Sequence, residues 1–205
     1  MKKKTVQEMH RISAEEFRAA EKLPVVAVLD NVRSQHNIGA VFRTADAFRI
    51  EEVCLCGICC CPPNAEIHKT ALGAEDSVRW TYVQDTLEAV KDLQARGYKV
   101  YAVEQTHGSI SLEDAVAHWN KEETEAEESN QKKEVCRGIA VVFGHEVFGV
   151  QQEVADAADG CIEIPQYGTK HSLNVSVTAG IVLYTLAQAV MKQTDILTKQ
   201  QQPME

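Results

Sequence analysis

Residues Cys161 to Leu183 read CIEIPQYGTKHSLNVSVTAGIVL, and the order of apolar and polar residues within them decides the fold class. Cys161 to Ile164 is a short apolar strand that Pro165 ends, because its ring locks φ and removes a backbone donor. Gly168 then gives the chain freedom to turn. Ser172 is a good helix N-cap, and Leu173, Val177, Ile181 and Val182 recur at helical spacing, which predicts a buried helix. Gln166, Tyr167, Thr169, Lys170, His171, Ser172 and Asn174 therefore crowd the junction between a strand and a helix. In α/β proteins, that carboxyl end of a strand is where ligands sit.

Working outward, the same strand-loop-helix order repeats. Val25 to Leu29 is an apolar run of strand length, followed by the polar loop Asp30 to Asn37. Asn37 is expected to cap a helix over Ile38 to Phe48, with Val41, Phe42, Ala45 and Phe48 as its apolar stripe and Gly39 allowing close approach. Strands are expected at Glu52 to Cys56, Val78 to Val83, Tyr98 to Val103 and Gly138 to Phe143. Helices are expected at Ser13 to Ala20 (with a Ser13/Glu16 capping box), Glu66 to Gly73, Asp85 to Gly97 and Gln151 to Ala157, with a short one opened by Ser111 and Asp114. The alternation predicts an α/β fold: a mainly parallel sheet flanked by helices.

The 205-residue chain has the composition of an ordinary globular domain and a formal charge of −9, which argues against bulk electrostatic coating of nucleic acid but permits a local basic cleft. The segment from Lys121 to Glu134 holds six acids and three bases and reads as a solvated acidic loop. Met1 to Lys4 is basic, yet no apolar h-region follows, so a cytoplasmic location is expected. No apolar run has the length of a membrane span. The seven cysteines fit reduced thiols better than a disulfide framework. Cys54, Cys56, Cys59, Cys60 and Cys61 lack the paired spacing of a zinc knuckle, so no metal is expected.

Three strand-to-helix junctions stand out: Asp30 to Thr44, Gly144 to Gly149 and Pro165 to Asn174. Each alone reads as tight turning. Together, in order and spacing, they resemble the motifs of the SpoU (TrmH) family of RNA ribose 2′-O-methyltransferases. The first likeness is Asn37, Gly39, Arg43, Thr44 and Ala45 in NIGAVFRTADAF. The second is Gly144, Glu146 and Gly149 in VVFGHEVFG, and the third is Ile164, Pro165, Gly168 and Ser172 to Ser176 in IPQYGTKHSLNVS. The resemblance runs from Leu23 to Met191. It implies one methyltransferase domain over 23–191, flanked by an extension over 1–22 and a tail over 192–205.

That resemblance also implies a carboxyl-terminal trefoil knot, bound S-adenosyl-L-methionine and a homodimer, with tRNA or rRNA as substrate. True knots are exceptions to ordinary connection rules, so this feature comes from the resemblance alone. The chain has no room for a separate amino-terminal RNA-binding domain, which favours tRNA over rRNA. By matching position, Gly144, Ile164 and Leu173 are expected around the cofactor, with Gln105 and Thr106 as a further wall. Arg43 matches the family's essential arginine, and Asn37, Glu146, Ser172 and Asn174 match positions that shape the catalytic loops. Because a guanidinium stays protonated, Arg43 is read first as gripping an RNA phosphate and orienting the 2′-hydroxyl, and second as a base. His145 stands where many relatives have asparagine, and Gln166 where methionine is commoner. The exposed pair His68 and Lys69 is read either as an RNA phosphate contact or as an ordinary charged helix face. The competing functions are a noncatalytic RNA-binding protein that keeps the fold, and a nicotinamide-dependent oxidoreductase, for which DNVRSQHNIG lacks the glycine-rich turn.

Overall fold

A computed structural model describes residues 1–5, 7–9, 11–119 and 136–193. The acidic segment 121–134 and the tail beyond 193 lie outside them. After a short 3₁₀ turn, Gln7–Met9, the chain runs α1 (Ala14–Ala19), β1 (Leu23–Asp30), α2 (Gln35–Ala47), β2 (Ile50–Cys56), α3 (Ala65–Ala71), α4 (Ala74–Ser77), β3 (Trp80–Val83), α5 (Thr86–Ala95) and β4 (Tyr98–Val103). It continues through β5 (Ile110–Ser111), α6 (112–119), β6 (Gly138–Phe143), α7 (Gln152–Ala157), β7 (Gly160–Glu163) and α8 (Val175–Gln193).

The strands form one sheet in the order β3-β2-β1-β6-β4-β7-β5, and every pairing is parallel. The expected sheet is thus present. Its central strands are covered on both faces, which is why they read as continuous apolar runs. Val25, Ala27 and Leu29 of β1 and Ile139, Val141 and Phe143 of β6 pack into one cluster with α2, α3 and α8. The alternate residues Val26, Val28, Ala140 and Val142 pack with Ala89, Val90 and Leu93 of α5 and Val154 of α7. Each fully buried Val, Leu or Ile contributes roughly 1.5–3 kcal/mol. Cys54 and Cys56 belong to the second cluster as small core residues, their sulfurs 3.7 Å apart. Phe17 of α1 is buried in the first cluster, so the amino-terminal extension is joined to the core.

Local rules account for most boundaries. Ser13 and Glu16 form the expected capping box, Asp85 caps α5 through Leu87 N–H, and Ser111 Oγ accepts from Asp114 N–H. At Gly39 a Cβ would collide with Thr70 Oγ1 and the Ile67 carbonyl, so glycine is what lets α2 lie against α3.

Two caps differ from expectation. Ser34, not Asn37, caps α2, accepting from Asn37 N–H at 3.3 Å, which leaves the Asn37 side chain free for a longer-range partner. Helix α8 starts at Val175 rather than after Ser172; the Asn174 carboxamide oxygen accepts from Ser176 N–H at 2.8 Å and is the cap. The stripe Leu173, Val177 and Ile181 is also not buried: these residues are 38%, 50% and 39% exposed, while Ala179, Val182, Leu183 and Leu186 hold the core side. Helix α8 is apolar around most of its circumference, so spacing alone misassigned the buried face.

Candidate active site

At the carboxyl edge of the sheet, the segments after β4, β6 and β7 enclose a cavity of about 660 Å³. Gln105, Thr106, Gly144, Glu146, Ile164, Ser172, Leu173 and Asn174 all line it. Its apolar wall is built from Val103, Phe143, Ile162, Ile164, Leu173 and Val175; polar groups, including Glu104 and Glu163, complete it. Such a volume, with an apolar wall on one side and polar groups converging from the loops, suits a nucleoside-sized ligand.

Each wall is held by bonds that cross between loops. After β6, the chain forms a tight turn closed by His145 N–H to Gly149 O and Gly149 N–H to His145 O, both 2.9 Å. Gly149 has φ +70°, and a Cβ on Gly144 would strike the Gly149 carbonyl carbon and Val150 N, so two glycines are required for the turn to close on itself. Gln105 Nε2 donates to His171 O at 3.1 Å, tying the β4 loop to the β7 loop.

Glu146 is the centre of the polar network. Its carboxylate accepts from Ser34 N–H (2.8 Å), Arg33 N–H (3.0 Å) and Asn37 Nδ2 (3.0 Å). Asn174 Nδ2 in turn donates to Asn37 Oδ1 at 3.2 Å. Asn37, Glu146 and Asn174, one from each of the three junctions, are thereby brought together. Partial burial pushes the Glu146 carboxyl up, but the Arg33 and Ser34 backbone donors and the Asn37 amide outweigh it and hold it below the usual carboxylate range. Ser172 is exposed on the cavity wall.

Arg43 is elsewhere. It lines a separate, shallower depression with Ala40, Thr44, Ala47, Phe48, Lys69 and Thr70. Six residues beyond Asn37 on α2, it lies roughly 9 Å further along the axis and about 120° round it, so the two side chains do not address one point. Arg43 is exposed and has no hydrogen-bond or ion-pair partner among the described residues. The basic residues of α3 are paired: Lys69, which borders the same depression, with Glu66 at 2.6 Å, and His68 with Glu75 at 2.5 Å. That pairing is what a charged helix face looks like.

Two carboxylates that shape the site were not singled out in the sequence. Asp30, fully buried at the end of β1, accepts from Thr86 Oγ1 (2.6 Å), Asn31 Nδ2 (2.9 Å), and both the backbone N–H (2.9 Å) and the side-chain amide (2.8 Å) of Gln151. Glu104 accepts from Gln105 N–H (2.9 Å) and Val150 N–H (3.0 Å). Both pin the far end of the 144–149 turn. The only local signal was an acid at a strand's carboxyl end.

The architecture is that of a parallel α/β enzyme with its ligand cavity built by loops at the carboxyl edge of the sheet. Residues 24–184 match the sequence model of the SpoU rRNA Methylase family, and the chain belongs to that family. It is 30% identical over 188 residues to a tRNA (guanosine(18)-2′-O)-methyltransferase of Thermus thermophilus, covering 90% of this chain and 85% of that protein. It is 29% identical over 166 residues to the 23S rRNA (guanosine-2′-O-)-methyltransferase RlmB of Xanthomonas campestris, covering 81% of this chain but 59% of that longer protein. The fold superposes on the A. aeolicus TrmH/SpoU tRNA modifying enzyme with a TM-score of 0.71 at 23% identity, over 90% of this chain and 83% of that one. It also superposes on the AdoMet-bound rRNA methyltransferase from Sinorhizobium meliloti, with a TM-score of 0.66 at 24% identity, over 84% and 59%.

Proposed function

We propose that this protein is an S-adenosyl-L-methionine-dependent RNA ribose 2′-O-methyltransferase that acts on tRNA as a cytoplasmic homodimer, with its domain over 23–191 and a trefoil knot in the carboxyl-terminal part. The observation that carries this reading is the cavity lined by the second and third family motifs, to which the first is tied through Asn37, bonded to both Glu146 and Asn174. The residues present fit the cofactor. Ile162, Ile164 and Leu173 give an apolar surface for its adenosine, while the carboxylates of Glu104 and Glu163 suit a ligand with positive charge. When bound, S-adenosyl-L-methionine supplies a methyl group on a sulfonium. Gly144 lets the backbone approach the cofactor closely, and Gln105 and Thr106 close another wall. Ser172 and Arg43 act on the RNA side: Arg43 holds a phosphate and orients the ribose 2′-hydroxyl, and Ser172 steadies that hydroxyl. Placement of the reactants is the main source of rate for such an in-line attack.

Two features support the homodimer. Val177, Ile181 and Tyr184 recur at helical spacing on α8 and are 50%, 39% and 51% exposed, an apolar stripe that a second copy would cover. Arg43 sits away from the cavity of its own protomer, so a partner's arginine completes the site. The knot is supported by the crossover order around β6, β4 and β7, where the turns after β6 and β7 border one cavity. Among the described residues no helix is long and apolar enough to cross a membrane. The tRNA preference is supported by the Thermus tRNA methyltransferase, which aligns with 90% of this chain over 85% of its own length.

The test is transfer of labelled methyl from S-adenosyl-L-methionine to separated tRNA and rRNA, with light scattering on the same sample. Label in the 2′-O position of tRNA and a two-chain mass are expected. Label confined to rRNA would overturn the substrate; cofactor binding without transfer would mean a noncatalytic binding protein; a one-chain mass would remove the dimer.

A further inference from the structure

The turn after β6 is one side of the cavity rim, and it presents more than the cofactor needs. Between the paired residues His145 and Gly149, Glu146 is taken up by its three donors, but Val147 and Phe148 are 72% and 83% exposed. A phenylalanine left in water forgoes roughly 1.5–3 kcal/mol of burial. The ring is nevertheless held in place. It packs on the His145 imidazole at a centroid distance of 4.9 Å and an interplanar angle of 35°. That imidazole is itself fixed by Val147 N–H donating to Nδ1 at 3.0 Å, which leaves its own proton on Nε2. The backbone beneath is closed by two reciprocal hydrogen bonds.

A cation is anchored to the same turn. The Arg33 N–H donates to Glu146 Oε2, two residues before Phe148. The Arg33 side chain is exposed and, among the described residues, has neither a hydrogen bond nor an ion pair. A preset aromatic face, with an unpaired arginine whose backbone is bonded to the same turn, is the combination that single-stranded nucleic acid uses: the base stacks and its phosphate takes the charge.

We propose that Phe148 is the platform on which a nucleobase of the RNA substrate stacks at the cavity mouth, with Arg33 on an adjoining phosphate. The inference rests on the reading of the cavity as an RNA methyl-transfer site. Continuity decides the occupant. A ribose that receives a methyl here has to enter this opening, and the base attached to that ribose, or the one next to it, then lies at the rim. The stacking needs no base-specific hydrogen bond, so it selects unstacked RNA over duplex rather than one base over another.

The experiment compares full-length wild-type protein with Phe148→Ala, Phe148→Trp and Arg33→Ala. The readouts are RNA affinity across a salt series, S-adenosyl-L-methionine affinity by calorimetry, and mass by light scattering. Phe148→Ala is expected to weaken RNA binding by about 5- to 100-fold, the loss of one base stack, with cofactor affinity, mass and salt slope unchanged. Phe148→Trp is expected to keep wild-type affinity and to add a tryptophan signal that RNA quenches. Arg33→Ala is expected to lower the salt slope by about 0.7–0.9, one phosphate contact. Unchanged RNA affinity in Phe148→Ala overturns the proposal while wild-type transfer still stands. An equal loss of cofactor affinity overturns it by making Phe148 a cofactor cover, and a fall in mass does so by making it a contact between copies. Wild-type protein that neither binds nor methylates RNA would sink the functional reading, and the stacking proposal with it.

Discussion

Glu146 and Arg43 carry opposite charges, come from two of the three junctions, and are treated in opposite ways by the fold. Glu146 has backbone donors from Arg33 and Ser34, a side-chain donor from Asn37 and a lowered pKa. Arg43 has no partner among the described residues and lies in a depression apart from the cavity. A charged group whose bonding capacity is filled from within the protein organises structure, whereas one left open is available to a ligand. The difference gives Glu146 a part in holding the loops together and leaves Arg43 open to a ligand, the RNA phosphate in the function proposed above.

The contrast breaks most sharply at Arg43. Arg43→Ala is expected to lower turnover by about 10²- to 10³-fold, as for loss of one charge-stabilising donor. Cofactor affinity and melting temperature are expected to stay at wild-type values, since no internal bond is lost. A drop in melting temperature of the size seen for a core variant would make Arg43 structural and erase the distinction.

Gly144→Ala tests the cavity side by geometry alone. Its added methyl collides with Gly149 and Val150, so the turn opens and the groups around the cofactor shift. A loss of about 10²-fold in kcat/KM is expected, the scale of an ångström of misplacement, with calorimetry showing it mainly as weakened cofactor binding. Normal cofactor affinity in this variant would show that the turn is not part of the cofactor wall.

The smallest effect is expected at Glu146. Glu146→Ala leaves the Arg33 and Ser34 N–H groups without their acceptor and is expected to cost about 1–3 kcal/mol in urea unfolding at neutral pH. The folded carboxyl titrates below its ordinary value of 4.5, so on acidification the unfolded chain takes up this proton first. The stabilisation from Glu146 is therefore complete above that ordinary value and is lost as pH falls through the lowered folded one. Unfolding curves of the variant are expected to show a shallower decline over that acid range; identical slopes would remove Glu146 from the acid response.

Much of this was readable along the chain. The strand at Val25 to Leu29 and the one at Gly138 to Phe143 were legible because burial on both faces demands unbroken apolar sequence. The capping box at Ser13 and the cap at Asp85 were legible because cap and donor lie within one turn. Asn37 and Ser172 were misread as caps for the converse reason. Both are competent capping types, but Ser34 and Asn174 took those places. Asp30 and Glu104 went unnoticed because their partners at residues 150 and 151 are distant in sequence.

By itself, then, the sequence determined the parallel α/β class, the positions of the three polar junctions and the likeness of their motifs to one family. These are properties of short segments, set by local hydrophobicity, turn chemistry and spacing. Only the tertiary structure decided which polar side chain meets which and which apolar face is covered. Glu146 meets an N–H 113 positions away, Arg43 stands apart from the cavity that its own motif helps to build, and α8 buries one apolar face while exposing another. Those outcomes depend on which segments pack side by side, and packing is a property of the whole chain.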